Sequence, residues 1–230
     1  MILKNNRTMR AAVLLLALVL ITSCFVGGTF AKYVTSNSGS DTARVAKFGV
    51  NIVAAGGMFS KTYAKDDTSF TLADNTVVSS DEDNLVAPGT TKTLGEFALT
   101  GSPEVAVRVK YTVDKFDLTG WTTNGTDEYC PLVFTVKGTT YKIGDPGIST
   151  AAELANKVKT AIENVTFDYE ANTNLAEKTA DNLTVSWSWP FSTSDENDVK
   201  DTALGNRANA NTADAGKIDF EVTMSVTQID

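Results

Sequence analysis

Asp195, Asn197, Asp198 and Asp201 fall within seven residues, DENDVKD, and oxygen ligands gathered on a flexible loop are what a calcium ion binds. The spacing lacks the sixth-position Gly and closing Glu of an EF-hand, so a plain acidic loop is the competing reading, and no other cofactor is indicated. Adjacent acids recur at Asp66-Asp67, Asp81-Glu82-Asp83 and Asp195-Glu196. In a cleft such pairs do acid–base work, but in polar loops they are usually solvated surface. Histidine is absent, which removes the usual base, the usual neutral metal ligand and the usual pH switch together. Without it neither Cys130 nor any serine has a partner to activate it, and no G-x-S-x-G elbow, H-E-x-x-H pair or phosphate-cradling Gly loop occurs. The residues therefore point away from an enzyme.

Trp187 and Trp189, two apart, read as core packing. If they or Trp121 face solvent instead, they form a platform for sugar or a partner chain, as in a monomeric cell-surface module binding wall polysaccharide or a matrix protein.

The N-terminus bears on where such chemistry would act. Lys4, Arg7 and Arg10 precede a run without charge from Ala11 to Ala31. Thr29 and Ala31, small residues two apart before Lys32, suit a signal peptidase, so residues 1–31 are expected to be a signal peptide cut before Lys32. Two alternatives stay open. The run is long enough for a retained membrane helix, and Ile21-Thr22-Ser23-Cys24 has the form of a lipidation site, although the sequence after Cys24 stays apolar.

Cleavage there leaves 199 residues, Lys32 to Asp230, enough for one domain with a sizeable core. The chain has 20 basic and 28 acidic residues; loss of three basic ones leaves a net charge of −11. That surface excludes nucleic acid, which demands basic charge. One cysteine, Cys130, remains, so no internal disulfide can form.

The elements that would position these residues read mostly as strands. Lys32 to Ala43 is short, polar and Ser-rich, and is expected to be mobile in an isolated monomer. Residues 44–230 read as one domain. Ala46, Phe48, Val50, Ile52 and Ala54 alternate and predict a first core strand. Ala87-Pro88-Gly89 predicts a turn. In EVAVRVKYTV, Val105 to Val113 alternate inward, with Arg108 and Lys110 in water, and FDLTGW after it reads as loop. Leu132 to Val136 turns at Lys137-Gly138 and returns. Leu183, Val185, Trp187 and Trp189 share a face until Pro190 stops pairing. One helix interrupts, near residues 150–163, where Thr150 and Glu153 fit a capping box and Leu154, Val158 and Ile162 repeat at a spacing of four. Ser192 to Gly216 reads as a long polar surface insertion. The closing strand, Ile218 to Val226, alternates cleanly and is expected to be central. This pattern predicts an all-β fold, an antiparallel two-sheet β-sandwich of jelly-roll type with one inserted α-helix.

Taken together, GGTFAKYVTS, RVAKFGVNI, NLVAPGTTKT, EVAVRVKYTV and IDFEVTMSVTQID resemble the TasA and camelysin family of exported fibre-forming proteins. The order of segments matches across nearly the whole chain. The resemblance implies a signal peptide handled by a SipW-type signal peptidase, secretion by a Gram-positive bacterium and assembly into biofilm matrix fibres. It also implies donor-strand exchange between copies of the chain, with Lys32, Tyr33, Val34, Thr35 and Ser36 at the head of a donor running to about Ala43 or on into part of the Arg44 to Ala54 strand. Some camelysin relatives are described as metal-dependent proteases; the lack of His and of a metalloprotease motif keeps that activity from carrying over.

Overall fold

The computed structural model describes residues 9, 11–18 and 44–229, apart from 55, 65–74, 82, 96, 192, 193, 211, 212 and 214. The chain divides into two units, residues 1–44 and 45–230. In the first, residues 11–18 are helical (α1). Among the described residues no helix is long and apolar enough to cross a membrane.

The second unit is a mixture of helices and small antiparallel sheets. Its strands are β1 (Val50–Ala54), β2 (Thr62–Ala64), β3 (Asn75–Val78), β4 (Thr91–Thr93), β5 (Phe97–Gly101), β6 (Val107–Thr119), β7 (Val133–Val136), β8 (Thr139–Lys142), β9 (Thr166–Tyr169), β10 (Val185–Ser188) and β11 (Lys217–Gln228). Its helices are α2 (Ala151–Glu163) and α3 (Asp195–Ala210), with two short 3-10 turns between β9 and β10. Among the described residues the strands form four separate sheets, ordered β4-β10-β7-β8, β11-β6-β9, β1-β5 and β2-β3. These open sheets, with α2 and α3 among them, correct the jelly-roll β-sandwich expectation: the fold is mixed α/β, and alternation had counted strands without fixing which ones pair.

The core lies where β6 meets α2 and β7. Val107, Val109, Tyr111 and Val113 are buried, then Phe116 and Leu118, so inward positions switch from odd to even. Opposite Glu221 and Val222 stand Lys115 and Val113; Asp114 is an extra residue, a β-bulge that reverses the facing of everything after it. Phe116 to Thr119, expected as the start of a loop, therefore continue β6. The Phe116 ring meets Phe134 of β7 at 5.1 Å and Phe220 of β11 at 5.2 Å, both edge to face, the geometry aromatic quadrupoles prefer.

Helix α2 forms as its sequence dictates. The Thr150 side chain accepts from the Glu153 backbone N–H while the Glu153 carboxylate receives the Thr150 N–H, and Ala151, Leu154, Ala155, Val158 and Ile162 are buried on one face. A cap of this kind contributes about 1 kcal/mol.

Two expectations about strands are also corrected. The first strand is peripheral: Phe48 is 43% and Ile52 40% exposed. The closing strand β11 lies at the edge of its sheet, with Ile218, Phe220, Val222 and Val226 only half-buried.

Candidate functional site

Thr29, Ala31, Lys32, Tyr33, Val34, Thr35 and Ser36, the residues expected for cleavage and assembly, lie outside the described residues. The other expected sites can be placed.

Asp195, Asn197, Asp198 and Asp201 sit on α3, not on a loop. Ser194 starts that helix by accepting the Asn197 N–H at its side chain and the Asp198 N–H at its carbonyl. Asp195, Glu196 and Asp198 complement the dipole in the first turn, and Lys200 pairs with Glu196 at 2.6 Å. The helix keeps Asp198 near enough to Asp201 for its charge to act on that carboxyl, but gives the candidates different surroundings. Asp201 turns toward the core, where it accepts from the Tyr129 hydroxyl at 3.0 Å and the Trp189 Nε1 at 3.2 Å, while Asp195 and Asp198 stay exposed. Among the described residues no three His, Cys, Asp or Glu side chains converge as a metal site.

Burial raises the Asp201 carboxyl above its ordinary value, and the donors Tyr129 and Trp189 offset part of that. Burial together with the Asp201 carboxylate also raises the Tyr129 hydroxyl. The remaining anchors of α3 are Leu204, 5% exposed, and Arg207, whose guanidinium donates to the carbonyl and hydroxyl of Thr122. The helix thus straps the Trp121–Trp189 pair, whose rings meet edge to face at 5.4 Å.

All three tryptophans are buried, at 2% for Trp121, 1% for Trp187 and 5% for Trp189. The Trp187 Nε1 donates to the Met58 carbonyl at 2.6 Å and the Trp121 Nε1 to the Lys217 carbonyl at 3.0 Å. Their burial does not fit an exposed platform for sugar, although Trp121 and Trp189 help line a groove of about 720 Å³, with Phe59, Leu204 and Ile218 among its other apolar residues and Asp81, Asp83 and Asp219 among its acidic ones.

The β1–β5 ribbon is the second distinctive surface. Val50 to Ala54 pair with Gly101 to Phe97, and the ribbon is extended by the Lys47 N–H on the Glu104 carboxylate and the Glu104 N–H on the Lys47 carbonyl, both 2.9 Å. Gly101 adopts φ +111° and Gly49 φ +48°; a Cβ on Gly101 would lie on the Gly49 carbonyl oxygen. Only glycine permits that approach. Val45 is 91% exposed, and Phe48 and Ile52 also leave apolar surface in water. Sequence reasoning had found the alternation here and assigned its apolar face to the core.

Cys130 is 5% exposed and burial pushes its thiol up to about 12, so it packs as an apolar residue. Comparison of the chain with protein-family models, curated proteins and solved structures finds no match in any of the three.

Proposed function

We propose that this chain is a secreted structural subunit of extracellular or biofilm matrix fibres, in which the segment from Lys32 through Ala43 and into β1 leaves its own body and pairs with β5 of the next copy. The observation that carries this reading is the state of β1. It holds to the body through backbone pairing with β5, yet its Ile52, and Val45 and Phe48 in the segment just before it, leave apolar surface in water. An alternating strand with an unsatisfied apolar side gains by burying it against another chain. Among the described side chains of β1 only Val50 packs against the core, so lending the strand is expected to leave the donor folded. Exchange of one strand with the next copy is heterologous and runs on into a filament. Resemblance to the TasA and camelysin family, the export-type N-terminus and the acidic, histidine-free composition favour the same reading.

The test is negative-stain electron microscopy of the secreted protein beside its Ile52→Asp variant. Uniform filaments from the first and monomers from the second are expected. Monomers from both, at high concentration, overturn the proposal.

A further inference from the structure

We propose that β11 is a self-pairing edge, through which two copies of this chain join antiparallel about a two-fold axis at Val222 and merge their three-stranded sheets into one of six strands.

The edge is unusually open. β11 runs 12 residues, about 40 Å of strand, and among the described residues no strand pairs with its outer side. Proteins blunt such edges with charged side chains, proline, bulges, brevity or inward charges. Of these β11 carries only charges on its solvent face, Lys217, Asp219 and Glu221, all in its first half: the bulge at Asp114 belongs to β6, so β11 itself is regular, and its inward residues are Ile218, Phe220, Val222, Met224 and Val226, of which Met224 is buried and the rest half-buried.

Its sequence is complementary to its own reverse. On the solvent face the first half carries Lys217, Asp219 and Glu221, and the second half carries only hydroxyls, Thr223, Ser225 and Thr227. With the axis at Val222, Lys217 meets Thr227 of the second copy, Asp219 meets Ser225, and Glu221 meets Thr223. On the inward face Ile218 meets Val226, Phe220 meets Met224, and Val222 meets itself. Every charge lies opposite a hydroxyl and every apolar residue opposite another.

Alternatives are worse by the same rule, because like charges directly opposite are destabilising. A parallel in-register pairing stacks Asp219 on Asp219 and Glu221 on Glu221. Moving the axis to Glu221 sets that carboxylate against its own copy, and moving it to Thr223 takes Ile218 away from Val226. A shift of half a step sets apolar residues against polar ones. The groove supplies room at the ends of the pairing, since Lys217, Ile218 and Asp219 line it and the second copy's Val226 to Gln228 arrive there. This contact is closed and two-fold, so it joins chains side by side and is separate from the head-to-tail contact made by β1.

The experiment is sedimentation of the secreted protein in the Ile52→Asp background, which removes the head-to-tail contact, with Ser225→Asp and Ser225→Lys added singly. Ser225 stands beside Lys110 within its own sheet, so the Asp variant favours the folded monomer and the Lys variant opposes it. Across the two-fold axis the order reverses, because Ser225 faces the second copy's Asp219 twice per dimer, and a lysine there competes with Lys115, which holds Asp219 at 2.9 Å within its own sheet. Dimerisation about tenfold weaker for Ser225→Asp and about tenfold tighter for Ser225→Lys is expected. A protein that stays monomeric, a dimer that ignores both substitutions, or a dimer that forms only when residues 32–43 are deleted, so that this segment occupies the edge, each overturns the proposal. Filaments seen without the Ile52→Asp change are unaffected by any of these results.

Discussion

The Trp189 Nε1 and the Tyr129 hydroxyl converge on one carboxylate, Asp201, at 3.2 and 3.0 Å, and this contact ties α3 to the core. Burial raises that carboxyl, with the two donors offsetting part of the effect. Between its ordinary value and the raised one, the folded protein binds a proton that the unfolded chain does not. Asp201 therefore adds to stability as pH falls and detracts as pH rises through the raised value. Asp201→Asn keeps an acceptor and removes the charge; its Tm should exceed the parent's by about 2 °C at about pH 8, with the difference fading toward about pH 4. Asp201→Leu strands both donors and should cost about 1–3 kcal/mol throughout. Thermal unfolding of the three proteins across pH checks this, and an Asn variant less stable at about pH 8 contradicts it.

Trp187 packs at 5.6 Å from Phe59 and 6.0 Å from Tyr63 while its Nε1 holds the Met58 carbonyl. Trp187→Ala removes a 1%-exposed indole and orphans that carbonyl, at an expected cost of about 3–5 kcal/mol. Urea unfolding measures it. A loss below about 1 kcal/mol is incompatible with the burial described.

The Cys130 thiol, pushed up to about 12 by burial, should resist iodoacetamide in the native protein at about pH 8 and alkylate fully in urea. Intact mass gives the answer; rapid native labelling would show that the segment carrying Cys130 opens.

Gly101→Val drives a side chain into the Gly49 carbonyl at a φ of +111°. β1 should detach while the body stays folded, seen as faster proteolysis within residues 44–56 with β6, α2 and β7 still protected. Global unfolding instead would mean that β1 is part of the cooperative core.

What the sequence made legible was periodicity. The capping box and four-residue spacing placed α2, and the alternation of Leu183 to Trp189 placed β10 and the buried indoles. Where a device breaks the period, reading failed: the Asp114 bulge shifted Phe116 and Leu118 by one position and made strand look like loop. α3 has no apolar period because it buries only Leu204 and is held by Asp201 and Arg207. Ser194 followed by acidic residues was the signal available for it. Alternation also names an apolar face without saying what covers it, which is why β1 looked like core and β11 looked central. The jelly-roll expectation failed for the related reason that strand pairing is non-local.

The central claim is strand donation from the mature N-terminus. The most direct measurement takes the protein secreted by a Gram-positive host, determines its intact mass and first residue, and images the same sample by negative-stain electron microscopy beside a variant lacking residues 32–43. The account predicts a chain beginning at Lys32 that forms uniform filaments, and a variant that forms none. A chain beginning at Lys32 that remains monomeric, or filaments undiminished by the deletion, would contradict it.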